Sequence, residues 1–300
     1  MLGNLIRRMK KLCTLNVRTW VEARERQRFH RGLTDPAAYW AGAPRKLFEE
    51  SEPVFVLSTG RCGTELLTRV LRRIPGAECH HEPLVELLYS ERQAYQEGQE
   101  KFEAYQTAIR TARFEMMLDA ETRGRRYIET NYRITFFAPH LYDLFKRSRF
   151  VHLVRGPAGF VRSGVRLGYY SGLRTDIGRI VPVRGPDAAR WPEMSAFERM
   201  AWLWNETNSF IERFKESADP ARMLTVKAED LFSDPAAAAS IIGFCGLPVP
   251  PAHKIATWIK HKTNVKSSAV RVPPYKQWDD ETKSSVKRQA SLADTYGYTL

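Results

Sequence analysis

Short apolar runs closed by turn residues recur along this chain, with stretches of helical spacing between them. Val54-Phe55-Val56-Leu57 is an unbroken apolar run behind Glu52-Pro53, the pattern of a strand buried on both faces of a parallel sheet. Ser58-Thr59-Gly60-Arg61-Cys62-Gly63-Thr64 ends it, and residues 65–73 place apolar side chains at helical spacing. Phe150-Val151-His152-Leu153-Val154 repeats the arrangement, closed by Arg155-Gly156-Pro157 and followed by a helix over 158–167. Shorter strands are expected at 77–83, 127–130 and 223–226, and helices at 86–119, 139–147 and 196–216. Residues 1–30 read as a basic helix carrying Leu2, Leu5, Ile6, Met9 and Leu12, and 32–44 as a linker. The pattern predicts an α/β fold: three layers, a parallel sheet with helices on both faces. A basic helical extension over 1–45 precedes a main domain over 46–300.

Composition narrows the class. A chain of 300 residues, 43% hydrophobic and 27% charged, can build a sizeable core, which excludes a disordered or fibrous protein. Four cysteines are too few for a disulfide scaffold and suit a reducing compartment. The first 30 residues lack the apolar stretch and cleavage site of a secretory signal, and no apolar run is long enough to cross a membrane. A cytoplasmic protein is expected, with residues 1–30 packed on the body or touching a membrane surface. The net charge of +13 favours anionic partners: nucleotide, nucleic acid, acidic glycan or lipid surface.

Two loops carry the candidate chemistry, because ligands of parallel α/β sheets sit beyond the carboxyl ends of the strands. In the first, Gly60 and Gly63 let backbone N–H groups approach an anion, and the following helix aims its positive end at the same place. Arg61 adds a full charge and Thr64 a hydroxyl. In the second, Arg155 at a strand end and Ser163 two turns into the next helix could grip one phosphate together; a structural ion pair at Arg155 is the plainer reading. The first loop lacks the Lys-Ser/Thr pair of a Walker A motif. Cys62, Cys79, His80 and His81 lie close in sequence but at irregular spacing, so no metal site is expected. No nucleic-acid motif accompanies the basic charge, so a nucleic-acid partner is not expected. Trp191, Trp202, Trp204, Tyr169 and Tyr170 either line an acceptor pocket or fill the core, and Arg162, Arg166 and Arg174 either face the cleft or solvent.

Together the two loops resemble the sulfotransferase family, which uses 3′-phosphoadenosine 5′-phosphosulfate (PAPS). STGRCGTELL at 58–67 resembles its 5′-phosphosulfate loop and FVHLVRGPAGFVRSGVRLGYY at 150–170 its 3′-phosphate motif. MLTVKAEDLFSDPAAAASIIGFCGL at 223–247, YKQW at 275–278 and Gly297-Tyr298 follow in the family's order, so the resemblance spans about 50–300. It implies a P-loop NTPase-like sulfotransferase fold with PAPS as donor. It assigns the 5′-phosphosulfate to Arg61, Cys62, Gly63, Thr64 and Glu65, and the 3′-phosphate to Arg155 and Ser163. Lys266 and Ser267 match a late loop that closes on the 3′-phosphate. Glu82 stands where some relatives place a glutamate base, with His81 and His80 as rivals. Glu65 stands where the family usually has Ser or Thr. Glu129-Thr130-Asn131 stands where some relatives have a catalytic lysine, which leaves Arg61 to stabilise the sulfonyl group. The implied reaction is in-line sulfonyl transfer to a hydroxyl or amine of a small molecule, a carbohydrate or a lipid-linked glycan, without a metal. The alternatives are a kinase-like ATP-dependent phosphotransferase and a non-catalytic nucleotide-binding homologue.

Overall fold

A computed structural model describes residues 17, 19–83, 91–97, 101–173, 176–260 and 271–300. Five strands, β1 (Val54–Leu57), β2 (Ala77–His81), β3 (Arg126–Thr130), β4 (Arg149–Val154) and β5 (Met223–Lys227), form one sheet of order β2-β3-β1-β4-β5. Every neighbouring pair is parallel, with Val56 of β1 level with Thr130 of β3 and Val151 of β4. All five predicted strands are present. Because β1 lies between β3 and β4, successive connections leave it in opposite directions, and a crevice opens beyond its carboxyl end.

Side chains alternate across the sheet and feed two cores. Phe55 and Leu57 of β1, with Phe150 and Val154 of β4, face an aromatic core containing Trp204, Phe137 and Phe145. Val54, Val56, Val151 and Leu153 face the other side, packed on Leu66, Leu67, Val70, Ile241 and Ile242. This is the three-layer α/β sandwich that the strand and helix pattern predicts.

The helices are α1 (19–32), α2 (Pro36–Arg45), α3 (Thr64–Leu71), α4 (Glu91–Glu97), α5 (Phe102–Thr122), α6 (Ala138–Leu144), α7 (Pro157–Arg166), α8 (Pro186–Arg190), α9 (Ala196–Ser217), α10 (Ala228–Ser233), α11 (Pro235–Phe244), α12 (Ala252–Ile259) and α13 (Asp280–Gln289). One expectation needs correction. The segment 32–44, read as a linker, is largely α2: the Asp35 side chain caps it by accepting from Ala38 N–H, and Pro36 takes the first helical position. Proline there starts a helix rather than breaking one, since the first-turn N–H it lacks has no intrahelical acceptor. Of the helical stretch expected over 86–119, α4 and α5 are described; residues 84–90 and 98–100 lie outside the described residues. Helix α1 is pinned to the body by Arg26–Asp119 at 2.7 Å and Arg125–Glu25 at 2.9 Å. Among the described residues no helix is long and apolar enough to cross a membrane.

Candidate functional site

The loop between β1 and α3 is wound in the left-handed region at three positions, Gly60 (φ 74°), Arg61 (φ 59°) and Gly63 (φ 85°). Glycine carries that conformation without penalty; Arg61 does not, so side-chain hydrogen bonds must hold the loop. Ser58 Oγ accepts from Gly60 N–H at 3.1 Å, and Thr135 Oγ1 accepts from Ser58 N–H and donates to Ser58 C=O. Cys62 is turned inward: its thiol donates to Gly60 C=O at 3.1 Å and sits 3.2 Å from Thr59 Oγ1. Burial pushes that thiol up to about 11, so Cys62 is a scaffold residue and faces the crevice only through its backbone. Gly63 caps α3 without a side chain, which leaves the first-turn N–H groups of Thr64 and Glu65 directed out of the helix. A Cβ at Gly60 would come within 3.1 Å of the Tyr132 ring, and one at Gly63 would run into Phe232. The loop is a cradle with backbone donors in its floor and aromatic rings at its rim.

The loop after β4 closes on the same point. Arg61 Nε donates to Ser163 Oγ of α7 at 3.1 Å, and Arg155 Nη1 donates to Arg61 C=O at 2.7 Å. Arg61, Arg155 and Ser163 are therefore one hydrogen-bonded group, although Arg61 and Ser163 are 102 positions apart. Neither guanidinium is paired with a carboxylate among the described residues, so both charges remain available to an anion. The surroundings hold this loop in place. Trp204 Nε1–H donates to Arg155 C=O at 2.7 Å. Glu229 accepts from Gly156 N–H at 3.1 Å and from the Tyr298 hydroxyl at 2.8 Å. The Glu229 segment and Tyr298 thus brace the second loop.

The rim of β2 adds titratable groups. His81 Nδ1 lies 2.9 Å from Thr130 C=O and 3.1 Å from Thr130 Oγ1; a carbonyl only accepts, so Nδ1 is the donor there, and Nε2 lies on the other side of the ring. That Nε2 is 3.8 Å from Glu82 Oε1. Glu82 is half-buried and, with φ 46°, left-handed. His80 is directed away, stacked on Tyr127 with 5.3 Å between ring centroids. On the neighbouring strand Glu129 is fully buried and accepts from Arg113, Tyr127 and Asn131. No lysine is found there.

The structure thus brings Arg61, Gly63, Thr64, Arg155 and Ser163 to one crevice, with Glu65 half-buried in the first turn of α3. Glu82 and His81 stand together at the carboxyl end of β2. Lys266, Ser267 and Arg174 lie outside the described residues. Arg162 is exposed and donates to Val272 C=O. Trp202 and Trp204 are core residues, and Tyr170 donates to Ile180 C=O. Sequence reasoning missed Tyr132, Phe232 and Arg113. The first two are ordinary aromatic positions without a local signal. Arg113 had one: with Ile109, Met117 and Ala120 it makes up the buried stripe of α5, and a cation within an apolar stripe needs a buried partner.

Comparison with known proteins adds family and fold. The family model described as the sulfotransferase family matches residues 53–251. The sulfotransferase domain from the curacin biosynthetic pathway superposes with a TM-score of 0.50 at 18% identity, over 84% of this chain and 99% of its own. Sulfotransferase STF9 from Mycobacterium avium gives a TM-score of 0.51 at 12% identity, over 91% of this chain and 83% of its own. At these identities the likeness is one of fold. No curated protein matches the sequence.

Proposed function

The chain belongs to the sulfotransferase family, and from that premise we propose that it moves a sulfonyl group from PAPS to a hydroxyl or amine acceptor. The observation that carries this reading is the hydrogen-bonded group formed by Arg61, Ser163 and Arg155. Two strand ends deliver two unpaired guanidinium groups and a hydroxyl to one crevice, which suits a donor with phosphates at both ends of one ribose. Backbone N–H groups of the 58–64 loop, Arg61 and Thr64 would take the 5′-phosphosulfate; Arg155 and Ser163 would take the 3′-phosphate. Lys266 and Ser267 belong to the same reading as a closing loop.

The acceptor oxygen or nitrogen attacks sulfur in line with the bridging S–O bond. That bond breaks, its electron pair stays on the 5′-phosphate oxygen, and Arg61 with the loop N–H groups stabilises the new charge. The acceptor proton passes to the Glu82 carboxylate. His81, whose Nε2 lies 3.8 Å from Glu82 Oε1, is the rival base. A sulfonyl group carries less charge than a phosphoryl group, so the step asks for little beyond positioning and these cations. The acceptor class in this reading is a small molecule or a glycan. The compartment is the cytoplasm, supported by the buried free thiols Cys62, Cys79 and Cys245. Residues 1–30 are read as packing on the body, with contact with a membrane surface as the alternative.

Calorimetric titration with 3′-phosphoadenosine 5′-phosphate (PAP) and with ATP, in wild type and Arg155→Ala, tests the donor. PAP should bind tightly and ATP weakly, with PAP affinity lost in the variant. A folded protein that prefers ATP, or ignores PAP, would sink this reading in favour of a kinase-like enzyme.

A further inference from the structure

We infer that Arg113 is a positioning residue for Glu82: from the middle of α5 its guanidinium, locked on Glu129, holds the chain beside Glu82 in a left-handed turn that aims the carboxylate. This rests on the reading of Glu82 as the base.

Arg113 is 2% exposed and its donors are almost fully assigned. Nε donates to Glu129 Oε2 at 2.7 Å and Nη2 to Glu129 Oε1 at 2.9 Å, a fork-to-fork pair. Nη1 donates to Ala112 C=O at 3.2 Å. The second proton of Nη2 reaches Pro83 C=O at 3.0 Å. Glu129 is itself pinned: the Tyr127 hydroxyl donates to Oε2 at 2.8 Å and Asn131 Nδ2 to Oε1 at 2.9 Å. The guanidinium cannot rotate without abandoning a fully buried carboxylate, so it presents a fixed donor to the residue after Glu82.

Glu82 needs such a hold. A glutamate at φ 46° sits in a conformation that L side chains avoid and keeps it only where its neighbours impose it. On the amino side, Glu82 N–H extends the ladder to Thr130 C=O at 3.4 Å, and His81 is tied to the same carbonyl. On the carboxyl side the tether is Arg113 to Pro83. The two anchors fix both ends of one strained residue. Glu129, the partner that holds Arg113, stands on β3, where some relatives place a lysine, so in this chain that strand supports the base through Arg113 instead of touching the sulfonyl group.

A double-mutant cycle tests the inference. Arg113→Met with Glu129→Met replaces the buried pair by apolar side chains of similar size, which costs the fold less than removal of one partner alone, although the Tyr127 hydroxyl and Asn131 amide lose their acceptor. Arg113→Lys is the second variant; it keeps a charge beside Glu129 but cannot serve both Glu129 and Pro83. The readouts are melting temperature, PAP affinity, and sulfonyl transfer from labelled PAPS to water and to a panel of alcohols and phenols. Both variants should fold and bind PAP within about twofold of wild type, while transfer falls roughly 10²-fold, the lower end of what a general base contributes. Adding Glu82→Gln should cause no further loss, because both changes disable one function. Undiminished transfer in a folded variant, or losses that multiply with Glu82→Gln, would overturn the inference. Transfer unchanged by Glu82→Gln alone would remove Glu82 as base and the inference with it, leaving the donor reading intact. A wild type that does not bind PAP would sink both.

Discussion

Gly63 is a residue at which one added methyl group meets both a backbone and a packing penalty. Its φ of 85° costs an L residue about 1–2 kcal/mol. The added Cβ also collides with Phe232, whose ring lies 5.9 Å from the Arg155 guanidinium, so the disturbance reaches the second loop. Gly63→Ala should lower the melting temperature and weaken PAP binding about tenfold or more, by the factor that 1.4 kcal/mol represents. Thermal melting with calorimetry checks this, and PAP binding at wild-type strength would remove the loop from the donor site. At this scale the sequence named Arg61, Arg155 and Ser163 by their places after apolar runs. It gave no sign that Arg61 donates to Ser163, because that bond depends on how two loops fold together. The apolar stripe of α5 signalled that Arg113 needs a buried partner but not which one, because Glu129 and Pro83 lie elsewhere in the chain.

At the scale of elements, α1 and α2 are the helices that present tryptophan to solvent. Helix α1 docks through Glu25 and Arg26, which leaves Trp20 57% exposed with the Arg24 guanidinium 4.3 Å from its ring, and Trp40 of α2 is 44% exposed. In sequence the preceding segment adds Arg7, Arg8, Lys10 and Lys11 among Leu2, Leu5, Ile6 and Met9. Cations beside exposed tryptophan suit an anionic lipid surface. We expect co-sedimentation with phosphatidylserine vesicles, weaker with phosphatidylcholine and at high salt, and reduced by Trp20→Glu with Trp40→Glu. Equal recovery with both lipids, or no effect of the double substitution, would leave α1 as a packing helix only. Strands and most helices were legible at this scale from hydrophobic period alone. The segment 32–44 was misread because proline and glycine punctuate loops and helix starts alike, and the deciding feature was the cap formed by Asp35.

At the scale of the whole molecule, buried titratable groups bend the dependence of stability on pH. Burial, stronger than the Arg133 guanidinium 2.8 Å away, pushes the Glu91 carboxyl from 4.5 up to about 8. The folded state then binds the proton more tightly, so this contribution is present below pH 4.5 and is lost as pH rises towards 8. Burial, helped by Lys215, lowers His152 from 6.5 to about 3, and burial lowers His140 to about 4. The unfolded chain takes up those protons first, so stability falls as pH drops below 6.5. Melting temperatures of wild type and Glu91→Gln from pH 5 to 8.5 should show a flatter alkaline decline in the variant; parallel curves would refute the assignment. The amino-acid sequence by itself determined the parallel sheet, the two loops beyond its carboxyl ends and the residue types within them. Those depend on local pattern: apolar runs that must be buried on both faces, and glycines where the chain turns with positive φ. Only the tertiary structure decided that Arg61, Arg155 and Ser163 share one hydrogen-bonded group and that Arg113 reaches from α5 to the residue after Glu82. Those contacts join residues far apart in the chain, and their partners are selected by the packing of helices on the sheet, which no local spacing encodes.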